Sequence, residues 1–295
     1  MFLFPSYRHQ SADSIICSKK AVLLDCDGVL YKLGNALEGA AEFVESIQKD
    51  KRVFFVTNSS DASPDHLVSA LAKIGITATP DQVLSAPCIT ARVLKRRGIT
   101  KVFLLASHNM VSQLRAEGIE AVVPDPDMPV DMLGRTHFPD PDVQAVIAGN
   151  TTVFNYSIIA QALQYLVRPG VAFIATNRDA VYPGPYAPLP DANSVVAALS
   201  GCCNGRQPEL MGKPQPLVFD VLREEFGIDA RDCVMIGDQL HTDIKLAKNG
   251  HAASLLVLTG VTPPSEWRSW VKASGIRPDA VVGGVSDLKY WRRTA

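Results

Sequence analysis

Short runs of apolar residues recur along the chain and alternate with amphipathic stretches. Each run has the length of a strand and is almost continuously hydrophobic, as is typical of parallel strands that are buried on both faces. The runs are Ala21–Leu24, Val53–Val56, Val102–Leu105, Val143–Ala148, Val171–Ala175, Cys233–Ile236 and Ser254–Leu258. The amphipathic stretches include Ala36–Gln48, Pro64–Ile74, Tyr156–Leu166 and Pro216–Phe226. This alternation predicts an α/β protein whose parallel strands are joined by right-handed crossovers.

Polar residues follow four segments that we predict to be strands. They are Asp25 and Asp27 after Leu24, Thr57 to Ser60 after Val56, Asp238 and Asp243 after Ile236, and Lys213 after Leu210–Gly212. Open parallel sheets bind ligands outside the carboxyl ends of their strands. If the four segments are neighbours in one sheet, we expect these side chains to converge on one site.

The carboxylates of this set predict a bound cation. Two unit charges about 4 Å apart interact by roughly 4 kcal/mol near a protein surface. Clustered aspartates therefore need either strongly raised pKa values or a metal, and all-oxygen ligation favours Mg²⁺. Mg²⁺ commonly completes its shell with substrate phosphate. We expect Lys213, Thr57 and Asn58, with the adjoining Ser59, to bind the remaining phosphate oxygens.

Composition limits the class of protein further. A chain of 295 residues predicts two domains, and a formal net charge of −1 gives no electrostatic footprint for nucleic acid or an anionic membrane. No apolar run approaches the length that spans a bilayer. The six cysteines include no Cys-x-x-Cys pair, which favours reduced thiols in a cytoplasmic protein. The first twelve residues carry no acidic side chain, so a weak organelle-targeting signal stays open as an alternative.

Four sequence motifs resemble those of haloacid dehalogenase superfamily phosphatases. In chain order they are "DCDGVL", "TNSS", "GKP" and "GDQLHTD". The stretches "FIATNRD", "GRQPELMGKP" and "LLVLTGVT" are similar to the members with an α/β cap, which include phosphoglycolate, pyridoxal phosphate and 4-nitrophenylphosphatases. The resemblance covers most of Lys20–Asp287 and implies a Rossmann-like parallel-sheet core. It implies core segments at residues 1–97 and 206–295, with the cap inserted at residues 98–205.

The resemblance also implies a role for each motif residue. Asp25 is the expected nucleophile and forms a phosphoaspartyl intermediate, while Asp27 protonates the leaving group and then activates water. Lys213 is expected to neutralise charge on the phosphate. Asp25, the backbone carbonyl of Asp27 and Asp238 are the expected Mg²⁺ ligands. Asp243 is expected to hold Lys213 or a metal-bound water.

The cap is expected to select the substrate. The loop Thr176–Pro183 matches the cap loop that faces the active site in this group, and Arg178 and Asp179 are candidate substrate-binding residues within it. The expected substrate is a small phosphorylated metabolite of the phosphoglycolate, pyridoxal 5′-phosphate or 4-nitrophenyl phosphate type. Members of the group pair through their caps, which implies a homodimer.

Several simpler interpretations compete with this one. Asp27 and Gly28 alone would suggest a turn, Thr57 to Ser60 a helix N-cap, Asp243 a solvated helix and Lys213 a surface lysine. Cys26 is not expected to be a phosphatase nucleophile, because Lys32 stands where cysteine phosphatases need an arginine; we expect its side chain to pack away from the two aspartates. A catalytically silent protein that binds a phosphorylated ligand or a partner is the alternative function.

Overall fold

Two parallel β-sheets organise the chain. The computed structural model describes residues 11–59, 63–130, 139–182, 184 and 186–288. The strands are β1 (Ala21–Leu24), β2 (Tyr31–Lys32), β3 (Asn35–Ala36), β4 (Arg52–Thr57), β5 (Val83–Ser85), β6 (Lys101–Leu105), β7 (Glu120–Val122), β8 (Ala145–Ala148), β9 (Ala172–Ala175), β10 (Val181–Tyr182), β11 (Leu189–Pro190), β12 (Glu209–Leu210), β13 (Cys233–Gly237), β14 (Ala253–Val257) and β15 (Ala280–Val282).

Helices alternate with these strands, as the hydrophobic pattern predicts. They are α1 (Ala12–Cys17), α2 (Ala40–Gln48), α3 (Pro64–Lys73), α4 (Ala86–Arg96), α5 (Asn109–Ala116), α6 (Tyr156–Leu166), α7 (Ala192–Cys202), α8 (Leu217–Phe226), α9 (Lys245–Gly250) and α10 (Trp267–Ser274). One π-helical turn at Leu240–Ile244 precedes α9. The predicted α/β class with a parallel-sheet core is confirmed. None of the helices among the described residues is both long and apolar enough to span a bilayer.

The chain divides into two compact units. The first comprises Met1–Thr57, Val68–Val83 and Lys213–Ala295, and the second comprises Asn58–Leu67 and Leu84–Gly212.

The sheet of the first unit brings three of the motif-bearing strands together. Its strand order is β15-β14-β13-β1-β4-β5, and β1 pairs in parallel with both β13 and β4. Leu24, the last residue of β1, is in register with Ile236 and with Phe55. The segments that follow the three strands therefore leave the sheet at one edge.

Burial on both faces explains why β1 and β13 form central strands. All four residues of β1 and all five of β13 are buried, which matches their continuous apolar sequence. Helix α2 covers the sheet with a face that repeats at helical spacing, and its buried residues are Ala40, Phe43, Val44, Ser46 and Ile47.

The sheet of the second unit is also parallel, in the order β12-β9-β8-β6-β7. Its core includes Phe103 and Tyr165, whose ring centroids lie 4.7 Å apart. Helix α6 begins after Asn155, whose side chain accepts a hydrogen bond of 3.1 Å from the Ile158 N–H. This is the usual way in which an exposed helix N-terminus is satisfied.

The fourth motif-bearing segment does not lie in the first sheet. The sequence predicted one shared sheet edge only on the condition that Leu210–Gly212 neighbours the other motif-bearing strands. Instead, β12 pairs in parallel with β9 in the second sheet, so Lys213 follows a strand of the other unit. The segment is too short and too weakly patterned for the sequence to show which sheet it joins.

Candidate active site

A buried lysine ties together the segments that follow β1 and β13. Lys213 Nζ lies 2.6 Å from Asp25 Oδ1 and 2.7 Å from Asp243 Oδ1, and it donates a hydrogen bond of 3.2 Å to the Val56 carbonyl. Asp25, Asp243 and Lys213 are all buried. Neither a surface lysine nor a solvated Asp243 fits these positions.

The backbone after β13 aims Asp243 at this lysine. The π-helical turn at Leu240–Ile244 brings Asp243 back over the strand end, where its Oδ2 accepts a hydrogen bond of 3.0 Å from the Gln239 N–H. A Cβ at Gly237 would collide with the Asp243 side chain, so this approach requires glycine. Such turns are rare and are frequent at functional sites.

Asp238 contributes a carboxylate oxygen that lacks a partner. Its Oδ2 accepts a hydrogen bond of 2.5 Å from the Val261 N–H, whereas its buried Oδ1 has no hydrogen-bond partner among the described residues. Gly28 has a φ of +78°, and a Cβ there would lie 2.5 Å from Asp238 Oδ2. The turn after Asp27 therefore needs glycine both for its backbone conformation and for the space beside Asp238.

Three carboxylates form a cluster that fits a hard divalent cation. Asp25, Asp238 and Asp243 each offer one oxygen, and these oxygens all lie within 4.8 Å of one another. Buried carboxylates at this spacing repel each other, and Lys213 supplies one positive charge against three acidic groups. The oxygen donor set and the unpartnered Asp238 Oδ1 suit Mg²⁺ or Ca²⁺. Asp243, which the sequence placed beside Lys213, also enters this cluster.

Without a cation, the protein environment favours protonation of these acids. Burial raises the pKa of Asp25 well above its usual range, against the opposing effect of Lys213, and Asp243 and Asp238 raise it further. Burial also raises the pKa of Asp238 to about 7, with Asp243 adding to the shift. Burial lowers the pKa of Lys213, but Asp243 and Asp25 outweigh that effect, so its pKa rises and it stays charged.

Asp27 has a different environment from the clustered acids. Its side chain is exposed, yet surrounding atoms partly desolvate the carboxyl group and raise its pKa, while Lys32 and the Gly28 N–H oppose this shift. Desolvation, rather than crowding by the clustered carboxylates, is the main cause of this rise in pKa. A raised pKa suits a group that must deliver a proton.

Cys26 lies between the two aspartates and is completely buried. Burial raises the pKa of its thiol well above the usual range, and Asp25 adds to this effect. A thiol that stays protonated is a poor nucleophile. The structure thus agrees with a packing role for Cys26.

The predicted phosphate-binding segment is split between the two units. Thr57 is the buried last residue of β4, whereas Asn58 belongs to the second unit. Asn58 Nδ2 donates to Asp179 Oδ2 at 3.1 Å. Ser59 is exposed, and Ser60 lies outside the described residues.

The cap-loop candidates differ from each other. Arg178 is exposed, whereas Asp179 is half-buried and hydrogen-bonded to Asn58. Pro183 lies outside the described residues. Sequence reasoning missed Asn177, whose Nδ2 donates to the Asn58 carbonyl at 2.8 Å. A signal was present, because a Thr-Asn pair occurs at the end of each strand: Thr57 is the last residue of β4 and Asn58 follows it, and Thr176 and Asn177 follow β9.

Comparison with known proteins identifies the family. Residues 22–120 match the family described as haloacid dehalogenase-like hydrolase, and residues 210–288 match the one described as HAD-hydrolase-like. The chloroplastic phosphoglycolate phosphatase 1A of Arabidopsis thaliana is 32% identical over 293 residues, covering 95% of this chain and 79% of the relative. The chain is a haloacid dehalogenase-like hydrolase.

Solved structures of haloacid dehalogenase-like hydrolases share its fold. The p-nitrophenyl phosphatase from Archaeoglobus fulgidus superposes with a TM-score of 0.80 at 28% identity, covering 92% of this chain and 98% of that one. A glycerol phosphate phosphatase from Mycobacterium tuberculosis, in complex with magnesium, has a TM-score of 0.77 at 27% identity and covers 93% of this chain and 77% of that one. The same enzyme has been solved in complex with calcium.

The relatives of this haloacid dehalogenase-like hydrolase are named as phosphatases, so it is a phosphoric monoester hydrolase that acts on small phosphorylated substrates. Use of a divalent metal is supported by the solved relatives and by the cluster of Asp25, Asp238 and Asp243.

Proposed function

We propose that the protein is an Mg²⁺-dependent phosphatase that works through a phosphoaspartyl intermediate at Asp25. The observation that carries this proposal is the Lys213 ammonium held between Asp25 and Asp243, next to the unpartnered Oδ1 of Asp238. Such an arrangement places a nucleophilic carboxylate, a fixed positive charge and cation ligands at one strand edge.

In the first step, an Asp25 carboxylate oxygen attacks phosphorus and the ester P–O bond breaks. Asp27 gives its proton to the leaving oxygen, as its raised pKa allows. In the second step, water attacks the phosphoaspartyl group, Asp27 takes a proton from it, and inorganic phosphate leaves. Lys213 keeps its charge throughout and offsets the negative charge around the transferred group.

Mg²⁺, when bound, supplies positive charge that keeps the clustered acids ionised and stabilises the transferring phosphoryl group. Asp25, Asp238 and the Asp27 backbone carbonyl would hold the ion. Asp243 would position Lys213 and support the metal ligands. Thr57 and the Asn58–Ser59 segment, with Lys213, would bind the phosphate oxygens.

Phosphate release with and without the metal tests this proposal. Purified protein is incubated with p-nitrophenyl phosphate, phosphoglycolate, glycerol phosphate and pyridoxal 5′-phosphate, in the presence of Mg²⁺, Ca²⁺ or EDTA. We expect turnover with Mg²⁺ and none with EDTA. Acid quenching during turnover should leave one phosphoryl group on the protein by mass spectrometry, and the Asp25 peptide should carry it. Turnover in EDTA, or the absence of a phosphorylated species, would contradict the mechanism.

We further propose that residues 98–205, which lie within the second unit, form a cap inserted between core segments 1–97 and 206–295, and that Arg178 contacts the substrate. Two copies would pair through this cap. The resemblance to capped phosphatases supports both proposals. Light scattering of the purified protein tests the pairing, and a monomer at micromolar concentration would reject it.

A further inference from the structure

The loop that follows β9 contacts the segment that comes directly after Thr57. Asn177 Nδ2 donates to the Asn58 carbonyl at 2.8 Å, and Asn58 Nδ2 donates to Asp179 Oδ2 at 3.1 Å. The Asp179 N–H in turn donates to Asn177 Oδ1 at 3.1 Å. Each of the three residues is thus bonded to the other two. We call these residues the asparagine clamp.

The same loop contacts the residue that comes directly before Lys213. The Gly212 N–H donates to the Thr176 carbonyl at 2.7 Å. A Cβ at Gly212 would lie 2.6 Å from both Asn58 Oδ1 and the Thr176 carbonyl oxygen. Only glycine therefore fits between the β9 loop and Asn58.

Burial raises the energetic cost of breaking these hydrogen bonds. Asn177 and Thr176 are fully buried, and Asn58 is nearly so. A buried carbonyl or amide that loses its partner keeps the full cost of its desolvation, so alternative arrangements of this loop are disfavoured. The covalent neighbours of Asn58 and Gly212 are Thr57 and Lys213. One loop thus fixes the backbone next to two residues of the candidate active site.

Asp179 does not have the chemistry of a phosphate ligand. Its carboxylate is an anion that would repel a phosphate dianion, and one of its oxygens already accepts from the Asn58 amide. A charged acceptor makes that hydrogen bond stronger than a neutral pair would. The charge of Asp179 is therefore used to orient Asn58.

We propose that Asn177 and Asp179 are positioning residues, which fix Asn58 and through it the Thr57 backbone, and that Asp179 does not bind the substrate. This inference rests on the proposed function, because it assigns the clamp to the phosphatase reaction. The clamp acts on the part of the site that is common to all phosphate esters, so its loss affects every substrate alike.

A double-mutant cycle tests the inference. Asp179→Ala, Asn58→Ala and the double variant are compared with the unmodified protein on p-nitrophenyl phosphate, phosphoglycolate and glycerol phosphate. We expect each single variant to lower kcat by about 10- to 100-fold, as the loss of a charge-assisted hydrogen bond implies. The double variant should be no worse than Asn58→Ala, because Asp179 acts only through Asn58. The ratios of kcat/KM between substrates should stay within about twofold.

Two further variants separate positioning from general destabilisation. Asp179→Asn keeps an acceptor oxygen and should retain more activity than Asp179→Ala; it also replaces Asp179→Ala in the cycle if that variant does not fold. Asn155→Ala removes a helix-capping hydrogen bond elsewhere in the second unit and is the matched control. It should lower the melting temperature but leave kcat unchanged.

Three outcomes would overturn the inference. The kcat losses of the two single variants could multiply in the double variant, the kcat/KM ratios between substrates could change, or Asp179→Ala could raise KM without lowering kcat. Each would mean that Asp179 contacts the substrate independently of Asn58. Failure of the proposed function is distinguishable, because the unmodified protein and Asn155→Ala would then also fail to hydrolyse the phosphate esters.

Discussion

The two parallel sheets use their carboxyl edges in opposite ways. At the edge of the first sheet, Asp25, Asp238 and Asp243 surround one buried lysine. At the edge of the second sheet, the residues directly after two central strands are neutral, with Asn150 after β8 and Thr176 after β9. A cavity of about 460 Å³ there is lined by residues such as Ser107, Asn150 and Thr151.

The difference shows that strand topology supplies a place for a site but not its chemistry. Both sheets are parallel, and both end their strands in loops that lead into helices. At the first edge, three buried acids face one lysine, and a bound divalent cation would balance the excess negative charge. At the second edge, the Asn177 amide donates to the Asn58 carbonyl, and the Asn58 amide donates to Asp179, so these groups find partners within the protein. The few residues that follow each strand decide whether the edge carries a cluster of acids or neutral polar groups.

The largest expected effect is a loss of turnover that occurs only when the first sheet edge is changed. Asp25→Asn removes the proposed nucleophile without changing its size, and we expect turnover to fall by at least about a thousandfold. Ser107→Ala at the second edge should change kcat by less than about threefold. Steady-state release of phosphate measures both variants, and circular dichroism checks that they fold. Equal losses in the two variants would remove the contrast between the edges.

The loss of the buried Lys213 should reduce the free energy of unfolding much more than the loss of a surface ion pair in the second unit. Lys213→Met leaves Asp25 and Asp243 buried without the lysine ammonium that pairs with them. We expect a loss of about 3–5 kcal/mol in the free energy of unfolding at neutral pH. In the second unit, Arg97 pairs with Glu209 at 2.5 Å near the surface, so Arg97→Met should cost about 1 kcal/mol or less. Urea denaturation without metal measures both. A similar cost for the two variants would contradict the assignment of Lys213 as a buried counter-charge.

Two glycines offer a matched steric test. In Gly28→Ala, the positive φ costs about 1–2 kcal/mol, and the new Cβ lies against Asp238. In Gly149→Ala, the Cβ would lie 2.8 Å from the Ala106 Cβ, and overpacking costs a similar amount of stability, about 1–3 kcal/mol. We expect only Gly28→Ala to weaken Mg²⁺ binding, measured by titration calorimetry. Unchanged Mg²⁺ affinity in Gly28→Ala would mean that Asp238 does not bind the ion.

The smallest expected effect is on the pH dependence of stability. The pKa of Asp238 rises to about 7 on folding without metal, so the folded state binds this proton more tightly than the unfolded state. The resulting stabilisation is present below the ordinary pKa of an aspartate, and it is lost as the pH rises towards 7. Mg²⁺ binds the ionised form, so it should raise the melting temperature by a few degrees more at about pH 7.5 than at about pH 5. Asp238→Asn should abolish this difference in calorimetry, and its persistence would place the metal elsewhere.

The elements were predictable where the sequence pattern was long or strict. The apolar runs predicted β1, β4, β6 and β13 to within about a residue, and helix α6 matches its predicted bounds. The three-residue strands β5, β7 and β15 were missed, because segments so short carry no usable periodicity. The motif order also led to the correct family, since four separated motifs constrain each other more than any one of them does.

The sequence by itself determined the inventory of the site: which acids, which lysine and which glycines follow the strands. Local chemistry and chain order are enough for that, because a motif specifies residue types at fixed spacing. Only the tertiary structure decided which strands pair and which side chains contact each other. Long-range pairing joined β12 to the second sheet, brought Asn58 to Asp179, and placed Asp243 in the carboxylate cluster with Asp25 and Asp238. These choices depend on how buried polar groups find partners across the fold, and no local pattern along the chain encodes that.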